Sequence, residues 1–441
     1  MSSMPHRNVL LPSISGLWAL AFGVLAFALV DPATAGTRKV QNCNDSGPGS
    51  LRNAVALALD GDTISLAALG CSRILLTGGQ IEVPQNNLEL VGRNRYALTI
   101  DANLDSRVFR HTGTGILRFR RVSIANGYVS GLQPLGGCIY SLGGVQLFDA
   151  QVHHCGLQSF GSFGGYGAGI RAERVLLSYS SAFDNIAEDV GGGVGFGGAV
   201  QASDVVVDHS QVYGNAATMG GGIGGGNVTV TYSVIRNNQA LHAGGILAGC
   251  REGCKLTIKK STLSANLATS IGGGFDSGAA ESTLIVDSTM SDNIADNFSA
   301  GALSTKARIF NSTIAFNRET GQCSGAINAR SQLRLVSSIV SSNTCSQGDD
   351  KDIGVYDADK VMGSNNIIGR SDVPVPPDTI LARPRLGPLT DNGGPTPTRM
   401  PAADSPALDR GINPLNCQYD QRGPGFPRVK GGFPDIGAVE R

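Results

Sequence analysis

The sequence predicts an all-β fold, a right-handed parallel β-helix (a solenoid of stacked rungs) with a short N-terminal capping helix and a loop-rich C-terminal cap. Three observations support this prediction. A motif with aliphatic residues at alternate positions recurs about every 27 residues, nearly every copy ends in asparagine, and glycine-rich segments follow the copies. The short β-branched strands and glycine-rich corners favour a β-helix over helical repeats and leucine-rich horseshoes.

Residues 1–35 are predicted to be a signal peptide. Basic Arg7 precedes an apolar run at residues 17–30, which is too short to span a bilayer comfortably, and Ala33-Thr34-Ala35 offers a cleavage site. An uncleaved membrane anchor is the alternative, and no later segment is apolar enough to cross a membrane. We therefore predict an exported protein, secreted to the periplasm or the medium.

Residues 36–116 are predicted to form an N-terminal cap and the first irregular rungs. Ser50 is a suitable helix N-cap, and Leu51, Val55 and Leu59 follow at helical spacing until Gly61 ends the pattern. A short amphipathic helix here would cover the open end of the solenoid, which would otherwise expose its core and unpaired strand edges.

Residues 117–343 are predicted to form the regular rungs. If the last position of each copy is taken as the reference, the residues eight and three positions before it are all apolar. Because strands alternate faces, both columns are expected to line the core. Asparagine side chains at the reference can hydrogen-bond to one another and to the backbone, which favours a structural ladder over a catalytic role. The reference residues are Cys155, Asn185, Asn215, Asn238, Asn266, Asn293, Asn317 and Asn343.

Residues 344–441 are predicted to form C-terminal rungs and a cap, because prolines crowd this region and periodic apolar residues become few. It begins with an acidic loop that contains Asp349, Asp350 and Asp352. A Ca²⁺ site is one interpretation of this loop, but without an EF-hand spacing a solvated acidic loop is favoured. No cofactor is therefore predicted.

All nine cysteines follow the predicted signal peptide, and disulfides are the default expectation for an exported protein. An odd number leaves at least one thiol free or paired between molecules, and Cys417 is the candidate. No paired C-x-x-C motifs accompany histidines, which argues against a zinc site. Sequence proximity and one-rung spacing favour the pairs Cys43–Cys71, Cys250–Cys254 and Cys323–Cys345.

The charge balance restricts the class of partner. The chain has 35 basic and 35 acidic residues, so it lacks the basic excess that nucleic-acid binding usually needs. A nucleic-acid partner is discounted. We expect a monomer that interacts with extracellular glycans or other cell-surface polymers.

Several segments resemble a known family. They are NDSGPGSLRNAV at residues 44–55, RLGPLTDNGGPTPTRMPAADSPALDRG at 385–411, DQRG from Asp420 and DIGAVE from Asp435. In these motifs the chain resembles secreted bacterial proteins with a choice-of-anchor Q region, and its repeat is similar in style to that of chlamydial polymorphic outer-membrane proteins. The resemblance implies an exported β-helix, often attached to the cell surface. Many relatives continue into an anchoring tail where this chain ends, so we expect a soluble product.

Outward-facing columns six and two positions before the reference hold the candidate site. On stacked rungs these side chains would form an exposed stripe about 15 Å long, with a second row on the neighbouring strand. The candidate ligand-binding residues are Tyr179, His209, Tyr213, Tyr232, Arg236 and Lys260.

Three interpretations of this stripe stay open. It is a solvated outer face, a glycan-binding surface, or the site of a polysaccharide lyase or glycoside hydrolase that acts on an acidic polysaccharide. A lyase needs a base, for which His209 and Lys260 are the first candidates, followed by Tyr179 and Tyr232. The preferred hypothesis is non-catalytic binding or adhesion to glycans or cell-surface polymers. Glycoside hydrolysis requires two carboxylates about 5 to 9.5 Å apart, whereas Asp184 and Asp292, which share a column, are expected to lie four rungs, roughly 19 Å, apart.

Overall fold

The computed structural model describes residues 35–160, 164–189, 196–297, 299, 301–355 and 361–441. The predicted signal peptide lies outside the described residues except for Ala35, so it stays a prediction. Residues 35–441 form one compact unit.

Short parallel strands coil into a solenoid, which confirms the predicted fold class. Each strand pairs in parallel with the strands one rung before and after it, as Ala182 does with Val152 and Val212. One sheet contains twelve such strands, so the solenoid makes about eleven turns.

The solenoid has three parallel sheets. The twenty-stranded sheet contains Thr37–Lys39, Thr63–Ser65, Ile81–Val83, Leu88–Val91, Phe109–His111, Ile116–Arg120, Ile139–Ser141, Gly144–Phe148, Ile170–Arg171, Arg174–Ser178, Val200–Asp208, Ile223–Thr231, Ile246–Gly249, Lys255–Lys259, Phe275–Ala279, Ser282–Val286, Ala302–Phe310, Ile327–Val336, Ile353–Val355 and Val361–Ser364. The twelve-stranded sheet contains Arg73–Leu75, Thr99–Asp101, Ser123–Ala125, Gln151–His153, Ser181–Phe183, Gln211–Tyr213, Val234–Arg236, Thr262–Ser264, Thr289–Ser291, Thr313–Ala315, Ile339–Ser341 and Ile367–Ile368. The nine-stranded sheet contains Tyr128–Gly131, Gly156–Ser159, Ile186–Asp189, Ala216–Met219, Gln239–His242, Leu267–Ile271, Ile294–Ala295, Arg318–Glu319 and Thr344–Cys345.

The two predicted apolar columns line the core. Leu177 and Val207, eight positions before the reference, and Val212 and Ile235, three positions before it, are fully buried. Strand alternation therefore turns the residues on either side of Val212 and Ile235 outward.

The asparagine column forms a continuous hydrogen-bonded ladder inside the solenoid. Asn185 Nδ2 donates to Asn215 Oδ1 at 2.9 Å, and the same contact repeats on every rung to Asn343. Each Oδ1 also accepts the backbone N–H of the asparagine on the preceding rung. Cys155 starts the column by donating its N–H to Asn185 Oδ1, and the carboxylate of Asp352 ends it by accepting from Asn343 Nδ2 at 2.7 Å. Hydrogen bonding within the ladder offsets the cost of burying these amides.

A second ladder, of serines, was missed by sequence reasoning. These residues lie five positions before the reference, where the backbone N–H of one rung donates to the Oγ of the next, as Ser180 N does to Ser210 Oγ at 2.9 Å. Each Oγ in turn donates to the carbonyl two residues earlier in its own rung. The members are Ser180, Ser210, Ser233, Ser261, Ser288, Ser312 and Ser338.

Glycine-rich segments lie between the nine-stranded and twenty-stranded sheets, where backbones of adjacent rungs approach closely. A Cβ at Gly245 would lie 2.3 Å from the carbonyl oxygen of Gly274 on the next rung. Such a contact is too short for any side chain, so glycine is required there.

The N-terminal helix is Leu51–Ala56. Ser50 is its N-cap and its Oγ accepts the N–H of Asn53 at 3.2 Å, as predicted. Leu51 and Val55 are fully buried, whereas the helix ends before Leu59, whose side chain is 52% exposed. The prediction that Leu59 belongs to the buried helical face was wrong. No helix among the described residues is long and apolar enough to cross a membrane.

All three predicted disulfides are present, and a fourth joins Cys138 to Cys155. The fourth bond links Cys155, the first reference residue, to Cys138, which is buried directly before the strand Ile139–Ser141 of the twenty-stranded sheet. Cys417 is the free cysteine of the described part of the chain.

The C-terminal region does more than cap the end of the solenoid. Val373 and Val375 pack against the core near its end, but residues 384–441, which we call the C-terminal cover, return over the outer face of the twelve-stranded sheet. Thr262 Oγ1 donates to the Pro397 carbonyl at 2.6 Å, and Ala438 N donates to Thr313 Oγ1 at 3.0 Å. The cover includes an antiparallel pair, Leu386–Thr390 with Thr398–Pro401.

Two of the motifs that resemble the family, DQRG from Asp420 and DIGAVE from Asp435, form the interior of this cover. The carboxylate of Asp420 and the guanidinium of Arg422 are buried and lie 2.6 Å apart. Asp420 also accepts the N–H of Glu440 at 2.8 Å, and Glu440 accepts the N–H groups of Lys430 and Asp435. These buried charges are paired and hydrogen-bonded, as burial requires, so the motifs have a structural role in holding the cover together.

Candidate functional site

The residues six positions before the reference form a row at the corner between the twenty-stranded and twelve-stranded sheets, which we call the corner row. The backbone is left-handed there, with φ of 49° at Tyr179, 45° at His209 and 46° at Tyr232. The sequence placed these residues on a strand, and that detail was wrong because alternation alone does not distinguish a strand residue from the corner residue that follows it. A left-handed non-glycine residue costs roughly 1 kcal/mol, and the solenoid repeats that conformation on every rung from Asp149 to Ser337.

Three members of the corner row stack on one another. The rings of Tyr179 and His209 lie 4.8 Å apart and those of His209 and Tyr232 lie 4.7 Å apart, with interplanar angles of 16° and 20°. These separations match the spacing between rungs, so each ring lies almost directly above the next.

Lys260 does not continue this stack, which corrects the prediction that it lies on the exposed stripe. Its ammonium donates to Asp287 Oδ2 at 3.0 Å, to the Asp420 carbonyl at 2.7 Å and to the Tyr419 carbonyl. Three acceptors satisfy its three protons, and only 17% of the side chain is exposed. Lys260 therefore anchors the C-terminal cover.

A second row lies two positions before the reference, on the outer face of the twelve-stranded sheet, and we call it the strand row. His153 stacks on Phe183 at 4.7 Å, and Phe183 stacks on Tyr213 at 4.9 Å with an interplanar angle of 1°. The guanidinium of Arg236 lies 4.6 Å from the Tyr213 ring centroid and completes the row by a cation–π contact. Sequence reasoning selected Tyr213 and Arg236 but left out His153 and Phe183, although all four occupy the same column.

The two rows flank the residues four positions before the reference, and together they form what we call the aromatic face. Its members are Tyr179, His209 and Tyr232 in the corner row, His153, Phe183, Tyr213 and Arg236 in the strand row, and Ser181, Gln211 and Val234 between them.

Stacking decides which atoms this face offers to a ligand. Because neighbouring rings cover one another's faces, a ligand meets ring edges, among them the phenol groups of Tyr179 and Tyr213. The ring nitrogens of His153 instead lie 2.8 Å from Ser123 Oγ and 2.7 Å from His154 Nδ1. His209 Nδ1 lies 3.0 Å from Asp208 Oδ2, so the adjacent carboxylate orients its imidazole. The surface is suited to hydrogen bonding with hydroxyl-rich ligands more than to stacking on a sugar ring.

Protein elements border the aromatic face at both ends. At one end the C-terminal cover lies on Lys260 and Thr262, one rung after Tyr232 and Val234. Near the other end Arg95 reaches a residue three rungs later, donating to the Tyr179 carbonyl at 2.6 Å, and lies 3.4 Å from the carboxylate of Asp149. The sequence carried no signal for the Arg95 contact, which joins residues 84 positions apart.

The environment fixes the protonation of several ring groups. Burial, with a further contribution from His154, lowers the pKa of His153 to about 4, so its imidazole is neutral near pH 7. Burial, reinforced by Asp184, raises the pKa of Tyr213, and burial also raises that of Tyr232. Both phenols therefore stay protonated and act as hydrogen-bonding groups, not as bases.

The carboxylates of the acidic loop serve protein contacts. In the acidic loop, Asp349 pairs with Lys351 and Arg370, and Asp352 accepts the hydrogen bonds that end the asparagine ladder. Among the described residues no group of three or more histidines, cysteines or carboxylates is arranged to hold a metal ion.

Comparison with known proteins gives a likeness of fold. No protein-family model matches the chain, and no curated protein matches it. The crystal structure of pectate lyase Pel9A matches with a TM-score of 0.50 at 15% identity, over 92% of this chain and 98% of that one. At this identity the match shows a common parallel β-solenoid fold alone, and the resemblance to the choice-of-anchor Q family stays a prediction.

Proposed function

We propose that this protein binds glycan chains on its aromatic face without cleaving them, as an exported surface or extracellular protein. The observation that carries the proposal is the double row of stacked rings, which presents the phenol groups of Tyr179 and Tyr213 beside the guanidinium of Arg236. Glycans present many hydroxyl groups that these phenols can match. Four disulfides fit an oxidising compartment, in which extracellular polymers are found.

The test removes hydroxyl groups while keeping the stack. A double variant, Tyr179→Phe with Tyr213→Phe, retains both rings, and we expect its affinity for a bound glycan to be about thirtyfold lower, since each of the two lost hydrogen bonds contributes about 1 kcal/mol. Glycan-array screening followed by titration calorimetry measures this change.

Tyr166→Phe is the matched control. Tyr166 also belongs to a stacked pair, with Phe196 at 5.0 Å, but lies away from the aromatic face. Absence of binding to every glycan on the array, or equal losses in the control and the double variant, would contradict the proposal.

A polysaccharide lyase acting on an acidic polysaccharide is the second candidate. The observation in its favour is the His209–Asp208 contact at 3.0 Å, because an oriented imidazole can act as a general base. Lys260 is less suited to that role, since its ammonium is held by three acceptors. Release of unsaturated or reducing sugars by the wild type, abolished by His209→Ala, would replace the binding proposal with this one. Lys260→Ala serves as the comparison.

A further inference from the structure

The aromatic face is blocked at one end by the C-terminal cover. Thr262, on the rung after Val234 and Arg236, is fully buried and donates to the Pro397 carbonyl. Lys260, one rung after Tyr232, donates to two carbonyls of the same cover. A ligand that lies along the strand row from His153 therefore meets protein backbone directly after Arg236, about 14 Å away. In the corner row, Gly423 of the cover already lies against the ring of Tyr232.

An unpaired cation lies at this blocked end. Arg236 is half-buried against the Tyr213 ring and makes no ion pair with any residue that the structure describes. The neighbouring cations are neutralised, because Lys260 pairs with Asp287 at 3.0 Å and Arg399 pairs with Asp292 at 2.8 Å. Attraction for an anion is thus concentrated at one side chain.

The rest of the described face offers no other unpaired arginine or lysine. Arg95 is paired with Asp149 at 3.4 Å, and Asp208 and Asp184 lie 3.0 Å and 3.9 Å from the imidazoles of His209 and His154. A uniformly charged polymer therefore finds one strong cationic contact on the face, and that contact adjoins the barrier.

We propose that the aromatic face binds the end of a glycan chain and not its middle, with an anionic group of the terminal sugar against Arg236. This inference rests on the proposed glycan binding and adds to it a binding mode and a ligand class, an oligosaccharide with a terminal uronate. The chain then runs away from the cover, over the stacked ring edges, toward Arg95.

The test uses uronic-acid oligosaccharides of increasing length, each prepared unblocked, blocked at one terminus, blocked at the other, or blocked at both. We expect a bulky block on one terminus to weaken binding at least about tenfold and a block on the other to have little effect. Affinity is expected to stop rising once the chain outgrows the face.

Arg236→Gln tests the anionic contact. It should reduce the preference for the free acid over its methyl ester by about tenfold, as expected for one charge-assisted hydrogen bond. Arg334→Gln is the control, because Arg334 is an exposed arginine on the twenty-stranded sheet. It should retain the full preference.

The outcomes distinguish recognition of the chain end from the proposed glycan binding on which it rests. Equal binding of unblocked and doubly blocked chains would overturn recognition of the chain end and leave glycan binding standing. Binding of neutral glycans alone, or an unchanged preference in Arg236→Gln, would overturn the anionic contact. If the wild type binds no glycan of any kind, the proposed function and this inference fail together.

Discussion

The outer face of the twelve-stranded sheet has two halves that share one backbone and differ in their side chains. In the bare half, from His153 to Arg236, the strand row consists of stacked rings and a guanidinium. In the covered half, from Ser264 to Ser341, the same column holds only Ser264, Ser291, Ala315 and Ser341, all of them buried. Small side chains let the backbone of the cover approach within hydrogen-bonding distance, whereas large ones occupy that space. The size of the residues in one outward column thus separates a surface open to ligands from one that the chain itself fills.

Removing a carboxylate from each half should give the largest difference in unfolding free energy between the two halves. Asp287 is fully buried beside Lys260 and Arg428 in the covered half, so Asp287→Asn leaves two cations in the interior without their anion. We expect the free energy of unfolding to fall by about 3 kcal/mol or more in chemical denaturation.

Asp149→Asn is the matched control in the corner row of the bare half. Asp149 is 44% exposed and faces Arg95 at 3.4 Å, so its loss should cost about 1 kcal/mol or less. Equal losses at the two positions would show that the cover does not make the covered half more sensitive.

The pH dependence of the bare half should reveal its neutral imidazole. The folded pKa of His153, about 4, lies below the value of about 6.5 for an unfolded histidine. Above about pH 6.5 the imidazole is neutral in both the folded and the unfolded state. As the pH falls toward 4, the unfolded state takes up a proton that the folded state does not, so the free energy of unfolding decreases by up to about 3 kcal/mol. His153→Phe keeps a ring in the stack and should show a flatter dependence. If the difference in unfolding free energy between the two proteins is constant from about pH 7 to 4, burial does not control this histidine.

Exchanging side chains between the halves tests whether side-chain size in this column separates the bare half from the covered half. Ser291 Oγ lies 2.6 Å from Arg399 Nε beneath the cover, so Ser291→Tyr has no space and should cost about 2 kcal/mol, with faster proteolysis of residues 384–441. Tyr213→Ser in the bare half loses only its ring contacts and should cost about 1 kcal/mol. The reverse order in thermal and chemical denaturation would contradict the role assigned to side-chain size.

The periodic part of the fold was predictable because it is local. Val207, Val212 and Asn215 recur at fixed offsets, and a strict repeat determines which of them face the core and which stack. The asparagine ladder and the Cys43–Cys71 and Cys323–Cys345 disulfides followed from the same spacing, whereas Cys250–Cys254 followed from proximity along the chain.

Neither the corner nor the cover was predictable from the sequence, and the reasons differ. A corner residue such as Tyr179 continues the alternation of its strand, so hydropathy does not reveal its left-handed backbone. The contact between Lys260 and Tyr419 joins residues 159 positions apart, and no repeat signals it. For the candidate site, this meant that two aromatic neighbours and both borders of the face came only from the structure.

The asparagine ladder also has an electrostatic direction. Every amide from Asn185 to Asn343 points its Nδ2–H toward the C-terminal rungs and its oxygen the other way, so the side-chain dipoles add along the solenoid axis and polarise one another. Asp352 receives the last hydrogen bond and places a carboxyl group at the positive end, as an acidic residue does at a helix N-terminus. A rung inserted in the opposite orientation cannot join this row, so the ladder selects one direction of stacking for the whole solenoid.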